Sequence, residues 1–341
     1  MTTLKDLSRH LGLSVTQVSR AINDHDDVSA STKERVREAA KELGYSVNLT
    51  ARSLVTGRTG MVCLIRDGHL NLPEHTSGFE VISGLSMEFS QRGYQFNLQM
   101  TPEGTDPVKV YKKAVASGSF DGFILTDATV NDERVALLEE LGVPFVVHGR
   151  VGEDPKHAYF DIDNYGVALH QVRHLTKLGH KRIGLLNGRD GYVYSESRID
   201  GYKDGLAEAG IAFDDRLIRS GPMIEDQALI STIAMFQEID PAPTALICSN
   251  ILLAKGAYHA LSALNLSIPQ DVSVIAHDDV LSSIRASAFY PALTVTKSPF
   301  EDGYSVIADI LCSRIDPSQK DVESVEVPFK FIERASTDKP S

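Results

Sequence analysis

Leucines at a helical spacing predict the structure of the N-terminal part of the chain, in the stretch Leu4-Lys-Asp-Leu-Ser-Arg-His-Leu-Gly-Leu-Ser-Val-Thr-Gln-Val-Ser-Arg-Ala-Ile-Asn23. Its first three leucines recur at i, i+3 and i+7, which places them on one face of a helix. Gly12 stands where a glycine commonly ends a helix, and Thr2 or Thr3 can cap its start. The stretch therefore predicts a short first helix that stops at the glycine.

A second helix can begin directly after this glycine. Ser14 is a suitable N-cap, and the following apolar residues Val15, Val18 and Ile22 share one face. The outward side chains between them can all form hydrogen bonds, namely Thr16, Gln17, Ser19 and Arg20. We expect this outward row to contact another molecule.

A third helix completes the pattern. Ser31-Thr-Lys-Glu34 has the spacing of a capping box, apolar residues follow from Val36 to Leu43, and Gly44 comes next. Two helices joined by a tight glycine-containing turn, with a third to close the core, are typical of a helix-turn-helix domain.

Charge and composition are compatible with a DNA-binding protein. The 341 residues are 42% apolar and 23% charged, which is ordinary for globular proteins, and the length suggests two or three folded units. The net charge is -12, but the first 60 residues carry nine Lys/Arg against seven Asp/Glu. The acidity therefore lies in the remaining residues and does not exclude DNA.

From Gly60 onward, short apolar strands alternate with amphipathic helices. The predicted helices include residues 78–92 and 164–178, and the predicted strands cover residues 61–65, 94–100, 122–126, 145–148, 158–162, 182–187, 245–249, 272–277 and 325–332. Such alternation predicts α/β architecture with parallel sheets, and the length favours two lobes with a cleft between them.

Common catalytic, cofactor and metal motifs are absent from the sequence. It has no GxGxxG, GxxxxGK[ST], HExxH or GxSxG pattern, and its three cysteines are widely separated. His170 and His174 stand at i and i+4, but no carboxylate or cysteine supports a metal site. We therefore expect no catalytic residues, no cofactor and no metal.

Targeting signals are also absent from the sequence. Apolar runs are shorter than a membrane span, and the N-terminus lacks a basic segment followed by an apolar one. These features predict a cytoplasmic protein.

Asp278 and Asp279 follow a predicted strand, where ligands of open α/β sheets bind. Adjacent residues of an extended chain point to opposite faces, so only one of the two carboxylates is expected to face a ligand. We assign this role to Asp278.

The N-terminal stretch, together with Val28-Ser-Ala-Ser-Thr-Lys-Glu-Arg-Val36, Leu43-Gly-Tyr45 and Asn48-Leu-Thr-Ala-Arg-Ser-Leu54, resembles the lactose-repressor/galactose-repressor (LacI/GalR) family of bacterial transcription regulators. The remainder resembles the periplasmic-binding-protein-like core of that family, through Leu178-Gly-His-Lys-Arg-Ile183, Arg198-Ile-Asp-Gly-Tyr202, Cys248-Ser-Asn250, Ile275-Ala-His-Asp-Asp279 and Leu293-Thr-Val-Thr296. The resemblance implies a sequence-specific DNA-binding regulator.

For DNA, the resemblance implies that the second helix enters the major groove and that residues 48–54 form a hinge helix. It implies contacts by Thr3, Ser14, Val15, Thr16, Gln17, Ser19, Arg20, Asn23, Ser29, Thr32, Asn48, Ala51 and Leu54. Gln17 departs from the family, which commonly has threonine there. Leu54 matches the leucine that enters the minor groove and bends the duplex.

For the effector, the resemblance implies a small molecule between the lobes. The expected contacts are His75, Thr126, His148, Arg150, Arg198, Met223, Glu225, Asn250 and Asp278. His148-Gly149-Arg150 departs from the Asp-Arg of many members, so His148 or Arg150 is expected to replace that carboxylate.

The resemblance implies a repressor of carbohydrate-utilisation genes controlled by a sugar, and we expect that sugar to be a glucoside. A purine corepressor is the first alternative, and a two-lobed α/β enzyme or a sugar-binding protein is the alternative of another class. The ligand is an inducer if lobe closure separates the hinge segments and a corepressor in the opposite geometry.

The expected domains are a helix-turn-helix over residues 1–47, a hinge helix and linker over 48–59, and an effector-binding and dimerisation core over 60–333. Within the core, we expect one lobe over about 60–160 and 293–318, and the other over about 161–292 and 319–333. Operators with two-fold symmetry imply at least a dimer. The residues after 333 are too few and too polar for a tetramerisation helix, so we expect a homodimer.

Overall fold

The computed structural model describes residues 2–22, 27–45, 57–68, 77–102, 104–152, 154–281, 283–298 and 300–341. The chain forms two compact units, Met1–Thr59 and Gly60–Ser341. No helix of the described residues is long and apolar enough to cross a membrane.

The described part of the first unit contains three helices, α1 (Leu4–Leu11), α2 (Val15–Ile22) and α3 (Ala30–Glu42). Thr3 caps α1 through a capping box with Asp6, and Gly12 ends the helix with a φ of 67°. The buried core consists of Leu7, Val18, Ala21, Val36 and Ala39. The predicted helix-turn-helix is therefore confirmed, with its glycine turn.

Two details of this unit correct the sequence-based expectation. The capping box predicted at Ser31 is wrong, because Ser29 is the extended N-cap of α3 and its Oγ accepts a hydrogen bond from the amide of Thr32. Val15 is 39% exposed rather than part of the core, because Ala21 occupies the buried face of α2 with Val18.

The second unit contains two six-stranded sheets, each covered on both faces by helices. The first lobe has the strand order β11-β5-β4-β3-β1-β2, with all neighbours parallel. Its elements are β1 (Met61–Asp67), α4 (Ser77–Gln91), β2 (Gln95–Thr101), α5 (Pro107–Ala116), β3 (Gly122–Leu125), α6 (Glu133–Leu141), β4 (Phe145–His148), β5 (Ala158–Ile162), α11 (Phe300–Ile315) and β11 (Val325–Val327).

The second lobe has the strand order β12-β10-β9-β8-β6-β7, and its edge strand β12 is antiparallel to β10. Its elements are α7 (Asn164–Leu178), β6 (Ile183–Asn187), α8 (Val193–Glu208), β7 (Ile218–Ser220), α9 (Glu225–Glu238), β8 (Ala245–Cys248), α10 (Ile251–Ala263), β9 (Ser273–Asp278), β10 (Thr294–Lys297) and β12 (Lys330–Ile332). The α/β class and the parallel sheets are as predicted.

The chain crosses between the lobes three times, and the crossings differ from the expected lobe boundaries. Residues 294–297 form β10 in the second lobe, although we expected 293–318 in the first. The predicted strand 325–332 is two strands in different lobes, because Pro328 lacks the amide hydrogen that a continuous ladder needs. Val327 therefore pairs in the first lobe and Lys330 in the second.

The last residues belong to the second lobe, so the expected core end at 333 is too early. Ser336 is fully buried, its hydroxyl accepts from the amide of Thr294, and it donates to the carbonyl of Val274. The tail thereby fills a gap beside β9 and β10.

The lobes also meet across the mouth of the cleft. The amide of Val193 donates to the carbonyl of Ala128 at 2.9 Å, and the amide of Val130 donates to the carbonyl of Gly191 at 3.0 Å. These bonds join the loop after β3 to the start of α8, so both segments face the space between the lobes.

Candidate functional site

The start of α2 is stabilised by a reciprocal pair of hydrogen bonds. The amide of Gln17 donates to Ser14 Oγ at 3.1 Å, and the amide of Ser14 donates to Gln17 Oε1 at 3.0 Å. This is the geometry of a capping box, in which a glutamine is a suitable fourth residue. Gln17, which departs from the family pattern, therefore stabilises the helix that carries the predicted base-reading residues.

The exposed surface of α2 includes three of the four residues of the predicted outward row. Ser14, Val15, Thr16, Gln17 and Arg20 are all exposed. Elsewhere in the unit, Thr3, Ser29 and Thr32 lie at the starts of α1 and α3. The other predicted contacts were Ser19, which is half-buried on α2, and Asn23, Asn48, Ala51 and Leu54, which lie outside the described residues.

Arg20 is bound to a carboxylate near the end of this surface. Its Nε lies 3.1 Å from Asp27 Oδ1, and its Nη2 lies 2.8 Å from Asp27 Oδ2. Both side chains are about half exposed, so a polyanion can compete with Asp27 for the guanidinium. This ion pair was not predicted from the sequence.

A cleft between the two lobes is the candidate effector site. It contains about 1010 Å³ of empty space, part of which is open to solvent. Five of the predicted contacts line it, namely Thr126, His148, Arg198, Met223 and Asn250. His75 lies outside the described residues.

Three predicted contacts do not line the cleft. Glu225 lies outside the lining, and its carboxylate binds Lys255 and His259 at 2.7 and 2.9 Å. Arg150 also lies outside the lining and pairs with Glu326 at 2.9 Å. Both side chains are therefore used in ion pairs outside the cleft.

Asp278 is the third predicted contact outside the lining. His277 lines the cleft, Asp278 does not, and Asp279 lines it again. Asp278 Oδ1 instead accepts a hydrogen bond from the amide of Val280 at 3.0 Å. Of the two neighbouring carboxyl groups, that of Asp279 therefore faces the cleft.

Several polar residues of the cleft were missed because they come from strand ends far apart in sequence. They are Arg66, Asp127, Asp161, Asn164, Tyr194, Ser249, His277 and Asp279. Except for Tyr194, which lies in α8, their position at or just after the carboxyl ends of predicted strands was the available signal. Asn250 has two roles: its Oδ1 caps α10 by accepting from the amide of Leu253, and the residue also lines the cleft.

Arg198 is a buried cation at the centre of this arrangement. Its side chain is held by a 2.6 Å hydrogen bond from Nη1 to the carbonyl of Ser249, and its guanidinium lies 5.7 Å from the centre of the Tyr194 ring. Gly188 leaves room for that ring, since a Cβ there would lie 2.5 Å from Tyr194 Cε2. Burial lowers the pKa of Arg198, and the nearby Tyr194, Asp279 and Asp161 oppose that shift.

Two carboxyl groups of the cleft have raised pKa values. Burial and the neighbouring Glu326 raise the pKa of Asp161 to about 7, and burial raises the pKa of Asp279 to about 6. Burial also lowers the pKa of His148 to about 4, so this imidazole is neutral at neutral pH. The cleft therefore offers neutral donors and acceptors as well as charges.

The raised pKa of Asp161 predicts a dependence of stability on pH. A carboxyl whose pKa is higher in the folded than in the unfolded chain favours folding below about pH 4, and this contribution is lost as the pH rises to about 7. Asp161→Asn resembles the protonated acid and should flatten this decline. Urea unfolding between pH 5 and pH 8 measures it, and an equal decline in both proteins would contradict the assignment.

Three further histidines and the cysteines have structural roles. His170 and His174 pack against Phe331, and His180 hydrogen-bonds to Thr244 and Ser273. In the part of the chain that the structure describes, no cluster of His, Cys, Asp or Glu could hold a metal ion. Cys63, Cys248 and Cys312 are buried free thiols.

Comparisons with known proteins agree with both units. Residues 3–48 match the family model described as bacterial regulatory proteins, lacI family, and residues 172–337 match that of the periplasmic binding protein-like domain. The HTH-type transcriptional regulator AglR of Rhizobium meliloti (strain 1021) is 36% identical over 98% of this chain and 94% of its own length. The HTH-type transcriptional regulator CelR of Thermobifida fusca is 32% identical over 92% of each chain.

Solved structures show the same architecture. A complex of the transcriptional regulator CelR with cellobiose aligns with a TM-score of 0.71 and 27% identity, covering 98% of this chain and 100% of that one. The lac repressor dimer bound to operator and the anti-inducer ONPF aligns with a TM-score of 0.78 over 99% of each chain, at 24% identity. The chain belongs to the lacI family of bacterial regulatory proteins and is a helix-turn-helix transcriptional regulator, not an enzyme.

Proposed function

We propose that this regulator is a cytoplasmic homodimeric repressor of carbohydrate-utilisation genes, and that a neutral sugar in the cleft controls its binding to a pseudo-palindromic operator. The exposed row on α2 reads the major groove, with Val15, Thr16, Ser19 and Arg20 at base edges. The sugar can change the affinity of the protein for the operator only as far as it binds one arrangement of the lobes more tightly than the other.

The polar residues that line the cleft support the proposed ligand class. Arg198, Asn250 and Asp279 offer a guanidinium, an amide and a carboxyl group, which together can donate to and accept from neighbouring hydroxyls. The described lining has four carboxyl groups and two arginines, on Glu80, Asp127, Asp161, Asp279, Arg66 and Arg198. This excess of carboxyl groups disfavours anions such as sugar phosphates and favours a neutral polyhydroxyl ligand.

A relative supports the same ligand class. The solved CelR complex contains cellobiose, a neutral disaccharide, in a protein that aligns over nearly the whole of this chain. Relatives named transcriptional repressor PurR are 31% identical, so purines belong in the same experiment as the competing outcome.

A thermal unfolding experiment tests the proposal. The full chain is heated with neutral mono- and disaccharides, sugar phosphates, hypoxanthine and guanine. A ligand at 100 times its Kd stabilises the native state by about 2.7 kcal/mol, enough to raise the midpoint clearly. We expect a rise with a neutral sugar alone, and a rise only with a purine or a sugar phosphate would overturn the proposed ligand class.

The adjacent aspartates provide a matched pair of variants that locates the site. Asp279→Asn should weaken binding of the stabilising sugar about tenfold or more, because the amide cannot accept at both oxygen positions. Asp278→Asn should leave the affinity unchanged, since that side chain does not line the cleft. Calorimetric titration of both variants measures the difference, and equal effects would contradict the placement.

A further inference from the structure

A short antiparallel bridge joins the two lobes in addition to the three covalent crossings. It pairs Thr129, in the loop after β3, with Tyr192, which directly precedes α8. The two backbone hydrogen bonds between the lobes flank this pair, one in each direction. Because all four bonded groups belong to the backbone of this chain, the bridge can form before any ligand binds.

The bridge lies away from the covalent crossings. These crossings follow β5, β10 and β11, which lie at or next to one edge of each sheet. The bridge instead joins the loops that follow β3 and β6. In the strand orders, β3 is two strands from β5 and β6 is three strands from β10, separations of about 10 and about 14 Å at the usual strand spacing. A rotation of the lobes about the crossings therefore pulls the bridge apart.

The loop after β3 is held in place within the first lobe. Asp127, which has a φ of 53°, forms an ion pair with Arg66 of β1 at 2.7 Å. Arg134 Nη2 donates to the carbonyl of Asp127 at 3.2 Å, and the amide of Thr129 donates to Asp132 Oδ2 at 3.2 Å. The backbone groups of this loop are thus positioned in advance, which lowers the entropy cost of joining the second lobe.

The segment from the second lobe is also held in place, and it adds an apolar contact. The amide of Gly191 donates to Glu196 Oε1 at 2.8 Å. Val193, the first residue of α8, packs against a hydrophobic cluster of the first lobe that includes Ala128 and Val147. A side chain of one lobe is therefore partly buried against the core of the other.

We propose that the bridge between residues 128–130 and 191–193 is a latch, which holds the lobes together before a ligand binds and sets the operator affinity of the ligand-free regulator. This inference rests on the proposed control of operator binding by the arrangement of the lobes. The latch stabilises only the arrangement in which it is formed, so a weaker latch shifts the population toward separated lobes.

Val193→Pro removes one latch bond and should leave α8 intact. Proline suits the first position of a helix, and Tyr192 already has the extended conformation required before proline, with φ -84° and ψ 136°. In the full-length protein without sugar, hydrogen exchange of the Val130 amide should become about three- to tenfold faster, because the latch opens more often. Val193→Thr is the matched control, since it keeps the amide and the branched shape and should leave this exchange unchanged.

An engineered disulfide tests the latch independently. Thr129 and Tyr192 are a non-hydrogen-bonded pair, whose Cα atoms lie about 4.5 Å apart in antiparallel strands, a distance that a disulfide can span. The double variant Thr129→Cys with Tyr192→Cys should form this disulfide with oxidised glutathione and no sugar, faster in the folded full-length protein than in urea. The natural cysteines are buried and should not compete.

Operator affinity without sugar tests the regulatory role of the latch. With an operator selected from a random duplex pool, Val193→Pro should change the affinity at least about threefold, whereas oxidation of the double variant should change it less than about twofold, because the lobes are already joined. Fluorescence anisotropy measures both. A larger change on oxidation, or an unchanged affinity in Val193→Pro, would overturn this role.

The latch itself is decided without sugar or DNA. Unaltered exchange of the Val130 amide in Val193→Pro, or introduced thiols that stay reduced in the folded protein while iodoacetamide labels both, would overturn it. A random pool that enriches no operator would instead remove the proposed function, and with it the effect of the latch on operator affinity.

Discussion

Arg198→Ala is expected to abolish measurable binding of the sugar that stabilises the protein, a loss of more than about 100-fold. The substitution removes the buried guanidinium that can donate to a ligand between the lobes. It also leaves Asp161 and Asp279 without their nearby cation. Arg198→Lys should keep the charge but bind at least about tenfold more weakly, because lysine cannot donate two parallel hydrogen bonds.

Arg173→Ala is the control for this experiment. Arg173 binds Glu208 on the protein surface, with about half of each side chain exposed, so its removal should not alter sugar affinity. Unfolding of each variant without sugar separates loss of binding from loss of fold. A folded Arg198→Ala protein that binds sugar normally would remove this residue from the site.

Arg20 and Asp27 should have opposite effects on operator binding. Arg20→Ala removes a predicted base-reading cation and should weaken binding about tenfold or more. Asp27→Asn removes the carboxylate that now holds Arg20, together with a negative charge near DNA, and should strengthen binding several-fold. The measurement is fluorescence anisotropy with the operator duplex at two salt concentrations.

A purely structural role for this ion pair predicts a different result. Both substitutions would then destabilise the end of α2 and weaken operator binding together. The salt dependence of operator affinity gives a second criterion. Loss of an arginine contact to DNA reduces the slope of operator affinity against salt concentration, whereas loss of an ion pair within the protein does not.

Local patterns in the sequence were sufficient to predict the helix-turn-helix unit. The spacing of leucines and the positions of Gly12 and Ser14 each determine structure within a few residues, and the structure reproduces them. The third helix shows the limit of such signals, since Ser29 and Ser31 are both suitable caps and only the backbone conformation of Ser29 decides between them.

The cleft was predicted less completely because its residues meet only in three dimensions. Arg66 and Asp127 are 61 positions apart in sequence, and nothing local to either indicates their ion pair. The choice between Asp278 and Asp279 depended on where β9 ends. His277 and Asp278 are both buried, so only the structure shows that His277 and Asp279 share the face that lines the cleft.

We propose that a sugar in the cleft controls DNA binding by the N-terminal unit. The most direct test measures the affinity of the full-length protein for an operator selected from a random duplex pool, with and without the sugar that raises the unfolding midpoint. We predict that the selection enriches an inverted repeat. The affinity of the protein for this operator should change at least about tenfold with sugar, a coupling of about 1.4 kcal/mol. In Arg198→Ala, sugar should not change the operator affinity. An enriched operator whose affinity is the same with and without saturating sugar would contradict the account.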